Sequence, residues 1–123
     1  MSASSTPRIL SFKSDTASIA RGSVVKPGSD DKHVAKSALA TSKNFGIAQN
    51  VVSAVEDTVE VAIQGGGAKG LLGGTVAFGD FLTSNASGAL VATTTGGDRV
   101  VAVAMQDGVS GDLIAVEVVN FNV

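Results

Sequence analysis

A chain of 123 residues is sized for one domain, or for two very small sub-domains sharing a core. Its apolar content is 44%, mostly Val and Ala, with five Phe and no Trp or Tyr, which suits thin β-layers better than a large helical core. A net charge of −2 with scattered basic residues, no cysteine and only two prolines excludes a phosphate-neutralising surface, disulfide or thiolate metal sites, and proline-rich disorder.

In chain order, the first predicted element is an extended N-terminal arm. Residues 1–21 read as that arm and a lead-in strand: Ser, Ala and Thr dominate, then Pro7 introduces an apolar group at Ile9, Leu10 and Phe12. Such a segment is an arm that orders against a partner, or alternatively a disordered tail or an ordinary first strand. It has no long apolar h-region, so no secretory signal is expected. No stretch is long and apolar enough for a membrane helix, and no membrane partner is expected.

From Gly22 the chain repeats itself. Gly22-Ser23-Val24-Val25, a polar turn and Val34-Ala35 parallel Gly79-Asp80-Phe81-Leu82, a polar turn and Val91-Ala92. This aligns Gly22 with Gly79, Val24 with Phe81 and Val34 with Val91. Both turns, residues 27–31 and 84–88, carry Gly, Asn, Asp or Pro chemistry, so each half opens with a hairpin. Later, Val59, Val61 and Ile63 alternate with Thr58, Glu60 and Ala62, while Ile114, Val116 and Val118 alternate with Ala115 and Glu117. Period two buries one set and turns Glu60 and Glu117 outward. The strongest helical stretch is the short Lys36–Thr41. The expected fold is therefore all-β: a small barrel or sandwich over residues 22–123. Two similar hairpin-plus-strand halves, 22–64 and 79–120, would pack about a pseudo-two-fold axis, joined by a Gly-rich connector at 65–74.

The chemistry-bearing motifs fail one by one. Gly65-Gly66-Gly67-Ala68-Lys69-Gly70 fits G-x-G-x-x-G, but Gly73 and Gly74 follow where a dinucleotide site needs a helix. A Walker loop fails because Leu71 occupies the lysine position. The single histidine, His33, sits beside Asp30, Asp31 and Lys32 in a turn expected to face solvent, without enough ligands for a metal. Asp30-Asp31 and Glu56-Asp57 are sequential pairs whose side chains diverge on a strand. Asn85-Ala86-Ser87 matches a glycosylation sequon but reads as a turn. A biotinyl or lipoyl carrier is excluded because no lysine follows Lys69. The expectation is a non-enzyme with no cofactor, no catalytic residue and no metal.

The order and spacing of these segments resemble the capsid cement, or decoration, proteins of tailed bacteriophages. The resemblance runs through Gly22–Lys26, Phe45–Ala48, Val59–Val61, Gly65–Gly70, Gly79–Ser84, Gly97–Ala104 and Gly111–Val116. It implies a virion protein, made in the host cytoplasm, on the outer surface of the expanded capsid. Its partners would be the major capsid protein and itself, as a homotrimer or alternatively a homodimer, with no nucleic acid. Contact candidates are Pro7, Ile9, Leu10, Phe12, Gly66, Lys69 and Leu71. The other reading, a head-surface adhesin for a host receptor or glycan, is disfavoured by the lack of Trp and Tyr platforms.

Overall fold

The structure, a computed structural model, describes residues 8–123. It holds ten strands and, among the described residues, no helix, including over Lys36–Thr41. The first five are β1 (Ile9–Ser14), β2 (Val24–Pro27), β3 (His33–Lys36), β4 (Gly46–Ala48) and β5 (Thr58–Ile63). The second five are β6 (Gly67–Leu71), β7 (Phe81–Ser84), β8 (Leu90–Ala92), β9 (Arg99–Ala104) and β10 (Leu113–Asn122).

Strands β1–β5 form a closed barrel in the order β1-β3-β2-β4-β5, sealed by the antiparallel β1–β5 pair and a short parallel β1–β3 pair. Strands β6–β10 repeat the path as β6-β10-β9-β7-β8. The duplication reaches individual backbone hydrogen bonds. Asp15 N–H donates to the Val34 carbonyl and Gly73 N–H to that of Leu90. Glu56 N–H donates to Ser14 and Gly111 N–H to Leu72, while Gly22 N–H donates to Ala48 and Gly79 N–H to Ala104. Position by position, β1 corresponds to β6 and β5 to β10.

Three expectations need correction. Over Ile9–Ser14 the strand alternative holds rather than the arm: these residues are a barrel strand paired along β5. The expected Gly-rich connector contains β6, paired along β10 from Gly67 to Leu71. The hairpin alignment is shifted by one: Pro27 pairs with Val34 and Ser84 with Leu90, so Val34 corresponds to Leu90, not Val91. The second turn is one residue shorter. A one-residue slip exchanges the faces of a strand; Val34 and Leu90 are both fully buried, whereas Val91 is half-exposed.

The halves differ in one structural respect. In the first, Lys13 N–H donates to the Lys32 carbonyl and closes the barrel seam. The corresponding pair in the second is Leu71 and Gly88. Here the segment leading into β2 is wedged between them: Leu71 N–H donates to Gly22 (3.0 Å) and Val24 N–H donates to Gly88 (2.7 Å). The second unit is thus an open sheet whose seam is filled by the first.

This packing sets the core. Ile19, Val25, Val34, Ala48, Val52, Val59 and Val61 fill the first barrel, with Phe12 and Phe45 packed edge to face at its end. Val24, Ile47 and Ala62 lie on the barrel's outer wall and join Leu72, Leu82, Leu90, Ile114, Val116 and their neighbours in a second core. Ala62, a residue of the β5 set expected to face outward, is buried here because the second half covers it. The joint is heterologous: the outside of one half meets the interior of the other. It is not a pseudo-two-fold contact, which would bury the same face of each.

Candidate functional site

The heterologous joint leaves one face without its counterpart. Ladder registers make Phe81, Val103 and Glu117 the equivalents of Val24, Ile47 and Ala62. The first-half trio is fully buried, while Phe81 is 46% exposed and Val103 and Glu117 are half-exposed. Phe121, from the far end of β10, stacks edge to face on Phe81 at a centroid distance of 5.2 Å. Two of the chain's five Phe rings therefore form an exposed apolar platform on a rigid sheet. Sequence reasoning missed it, although the pairing of Val24 with Phe81 carried the signal: a small residue under cover is matched by a large aromatic in the open.

The sequence-derived contact candidates divide into three groups. Pro7 lies outside the described residues. Ile9, Leu10 and Lys69 are exposed. Phe12, Gly66 and Leu71 serve the fold itself: Phe12 packs on Phe45, the Gly66 carbonyl accepts from Val118 N–H, and Leu71 makes the wedge bond. The start of β1 and the Gly-rich corner do come together. Arg8 lies against Gly65, its guanidinium donating to the Gln64 carbonyl at 3.4 Å. Lys69 is locked at the backbone, where its N–H and carbonyl both bond the Gln49 side chain, while the residue itself is exposed.

The structure places His33 differently from the solvent-facing turn residue expected. Its side chain is only 18% exposed, and both ring nitrogens meet carboxylates. Nδ1 is 2.6 Å from Asp30 and Nε2 is 2.6 Å from Glu56. Glu56 is distant in sequence and its contribution could not be read from local spacing. The Asp30 hydrogen bond, then that of Glu56, raises the imidazole's pKa above its usual value. The His33 hydrogen bond, then the Lys32 backbone N–H, lowers that of Asp30.

The pH consequence has a definite sign. A raised histidine pKa lends stability that is fully present below the unfolded value of about 6.5 and disappears as pH rises through the folded value. The lowered Asp30 pKa lends stability present above about 3.9 and lost as pH falls through its folded value. The melting-temperature gap between wild type and His33→Ala should thus be widest between about pH 4 and 6.5 and shrink towards alkaline pH. Salt should narrow it, since the carboxylates are exposed. A gap independent of pH would refute the clasp.

Beside the clasp, Phe12, Pro27, Val34 and Phe45 form the apolar wall of a small pocket with Asp30, Asp31 and His33 also lining it. The G-x-G-x-x-G stretch runs into strand β6 and a bend, with no helix to face a pyrophosphate.

No family model matches the chain, and no curated protein matches it. Among solved structures it is similar to the head fiber gp8.5 N base in bacteriophage phi29, with a TM-score of 0.71 and 16% identity. The match covers 94% of this chain and 97% of that one. At that identity the likeness is one of fold: the chain shares, over nearly its whole length, the architecture of that head-fiber base.

Proposed function

We propose that this chain is a structural protein of a phage head, a decoration or cement protein that binds the outer surface of the expanded capsid and ties major capsid subunits together. The observation that carries the reading is the end-to-end fold likeness to the phi29 head fiber gp8.5 N base, joined to the resemblance of the sequence to capsid cement proteins. A rigid double β-fold with exposed apolar groups suits the task, which needs complementary surfaces and no chemistry. Several modest contacts add through effective concentration when one oligomer spans several subunits. Binding only the expanded shell stabilises that shell by mass action.

Self-association is the natural use of the Phe81–Phe121 face. In the first half, the equivalent face is covered by a second β-unit of the same kind, so a second copy of the chain is the proposed occupant. A homotrimer is favoured and a homodimer is the alternative. Exposed Ile9, Leu10 and Lys69 remain for the capsid. Phe81→Asp should shift the mass in solution from oligomer to monomer without loss of folding. An unchanged mass would remove this face from the assembly.

The function is tested by co-sedimentation of purified protein with expanded capsids, unexpanded capsids and free capsid subunits. Saturable binding to the expanded shell alone is expected. Equal binding to all three, or to none, would sink the reading.

A further inference from the structure

We propose that Asp15, His33 and Glu56 form a binding site for a first-row divalent cation, zinc by its donor set. The three residues come from the segment after β1, from β3 and from the loop before β5, and their ligand atoms all lie within 4.8 Å of one another. One imidazole nitrogen and two carboxylate oxygens, with water in the fourth position, make an open tetrahedral zinc set. Around such an ion, with bonds of about 2.1 Å, ligand atoms stand about 3.4 Å apart. The 2.6 Å contact of Nε2 with Glu56 is a proton-bridged version of the same arrangement. Metal would displace that proton to solvent, and the side chains need only spread slightly.

The ring is already aimed. Asp30 accepts from Nδ1, which leaves Nε2 as the ligand and supplies the outer carboxylate that metal-bound histidines commonly have. Asp15 is also fixed, since its carboxylate accepts from Ser29 N–H and the Ser29 hydroxyl. A Cβ on Gly28 would run into that carboxylate and the His33 backbone. Three carboxylates, Asp15, Asp30 and Glu56, reach one imidazole, against two nearby cations, Lys32 and Lys13, the latter the register partner of His33.

The internal duplicate supplies the independent argument. With matching backbone hydrogen bonds, the second half carries Gly73, Ala89 and Gly111 where the first carries Asp15, His33 and Glu56. The fold therefore does not require these side chains. Glu56 even holds a left-handed φ of 75°, where its counterpart Gly111 has 92°. A non-glycine residue there is disfavoured, so the carboxylate is present at a backbone position better suited to glycine.

The duplicate also supplies variants expected to fold: His33→Ala and Glu56→Gly. Titration calorimetry with zinc chloride near neutral pH, paired with thermal melts, tests the site in the full chain. Wild type should bind one zinc and melt at a temperature that rises with zinc concentration. Both variants should lose that binding and rise while keeping an oligomeric mass equal to wild type. Asp30→Asn should weaken binding by about 10–100-fold, and acidification should weaken it further as the proton competes for Nε2. No heat and no shift in wild type would overturn the proposal. So would zinc binding that survives His33→Ala, or calcium and magnesium acting as well as zinc, since those ions take oxygen ligands. None of these results bears on capsid binding, which is measured separately.

Discussion

Replacing Gly22 with alanine should break the joint between the two halves, whereas the same change at Gly79 should be mild. The two glycines are repeat equivalents with φ of 89° and 92°, so the conformational penalty is shared, about 1–2 kcal/mol for a Cβ in left-handed backbone. Their surroundings differ. A Cβ at Gly22 would stand 2.6 Å from the Leu71 nitrogen and 2.7 Å from Leu113 Cδ2, while one at Gly79 meets nothing within 4 Å. The Leu71 nitrogen cannot move aside, because it donates to the Gly22 carbonyl in the wedge itself. Overpacking adds about 1–3 kcal/mol, bringing Gly22→Ala to about 2–5 kcal/mol. Chemical denaturation of the two variants side by side checks this. Equal losses would mean that the wedge does not join the halves.

Ile47→Ala should destabilise the whole chain in one transition. Ile47 is fully buried, but on the outer wall of the closed barrel, where it completes the core of the open sheet. Truncating a buried isoleucine costs about 2–5 kcal/mol in lost transfer energy and residual cavity. At roughly 3–5 °C per kcal/mol for a domain of this size, the melting temperature should fall by about 6–25 °C. Val103→Ala is the matched control. It occupies the equivalent register position on the half-exposed face and should cost under about 1.5 kcal/mol. Two separate melting transitions in the Ile47 variant would show that the halves are independent domains, contrary to the shared core.

Much of this fold is written in local pattern. The alternation of Val59, Val61 and Ile63, and of Ile114, Val116 and Val118, announces β5 and β10, whose inward residues are buried apart from the partly covered Ile63. Gly22 and Gly79, both with positive φ, mark the matching turns that lead into β2 and β7. What local pattern could not carry is partnership. Gly67–Leu71 has almost no apolar alternation, and it is a strand because β10 pairs along it. Ile9–Ser14 looks like a free arm until β5 is beside it. The open second sheet follows from two backbone hydrogen bonds, Leu71 to Gly22 and Val24 to Gly88, which have no side-chain signature.

The same limit applied to the sites. His33 reads as a lone histidine because Asp15 and Glu56 reach it only through the folded barrel. The Phe81–Phe121 pair lies far apart in sequence, on β7 and β10, and is exposed only because the halves join asymmetrically.

The most direct test of the proposed function is a cryo-EM map of expanded phage capsids incubated with the purified protein. A decoration protein should give added density on the outer shell, at local symmetry axes, fitted by the double β-fold with its Phe81–Phe121 face turned towards a neighbouring copy. Bare shells at saturating protein, or density placed equally on unexpanded particles, would contradict it.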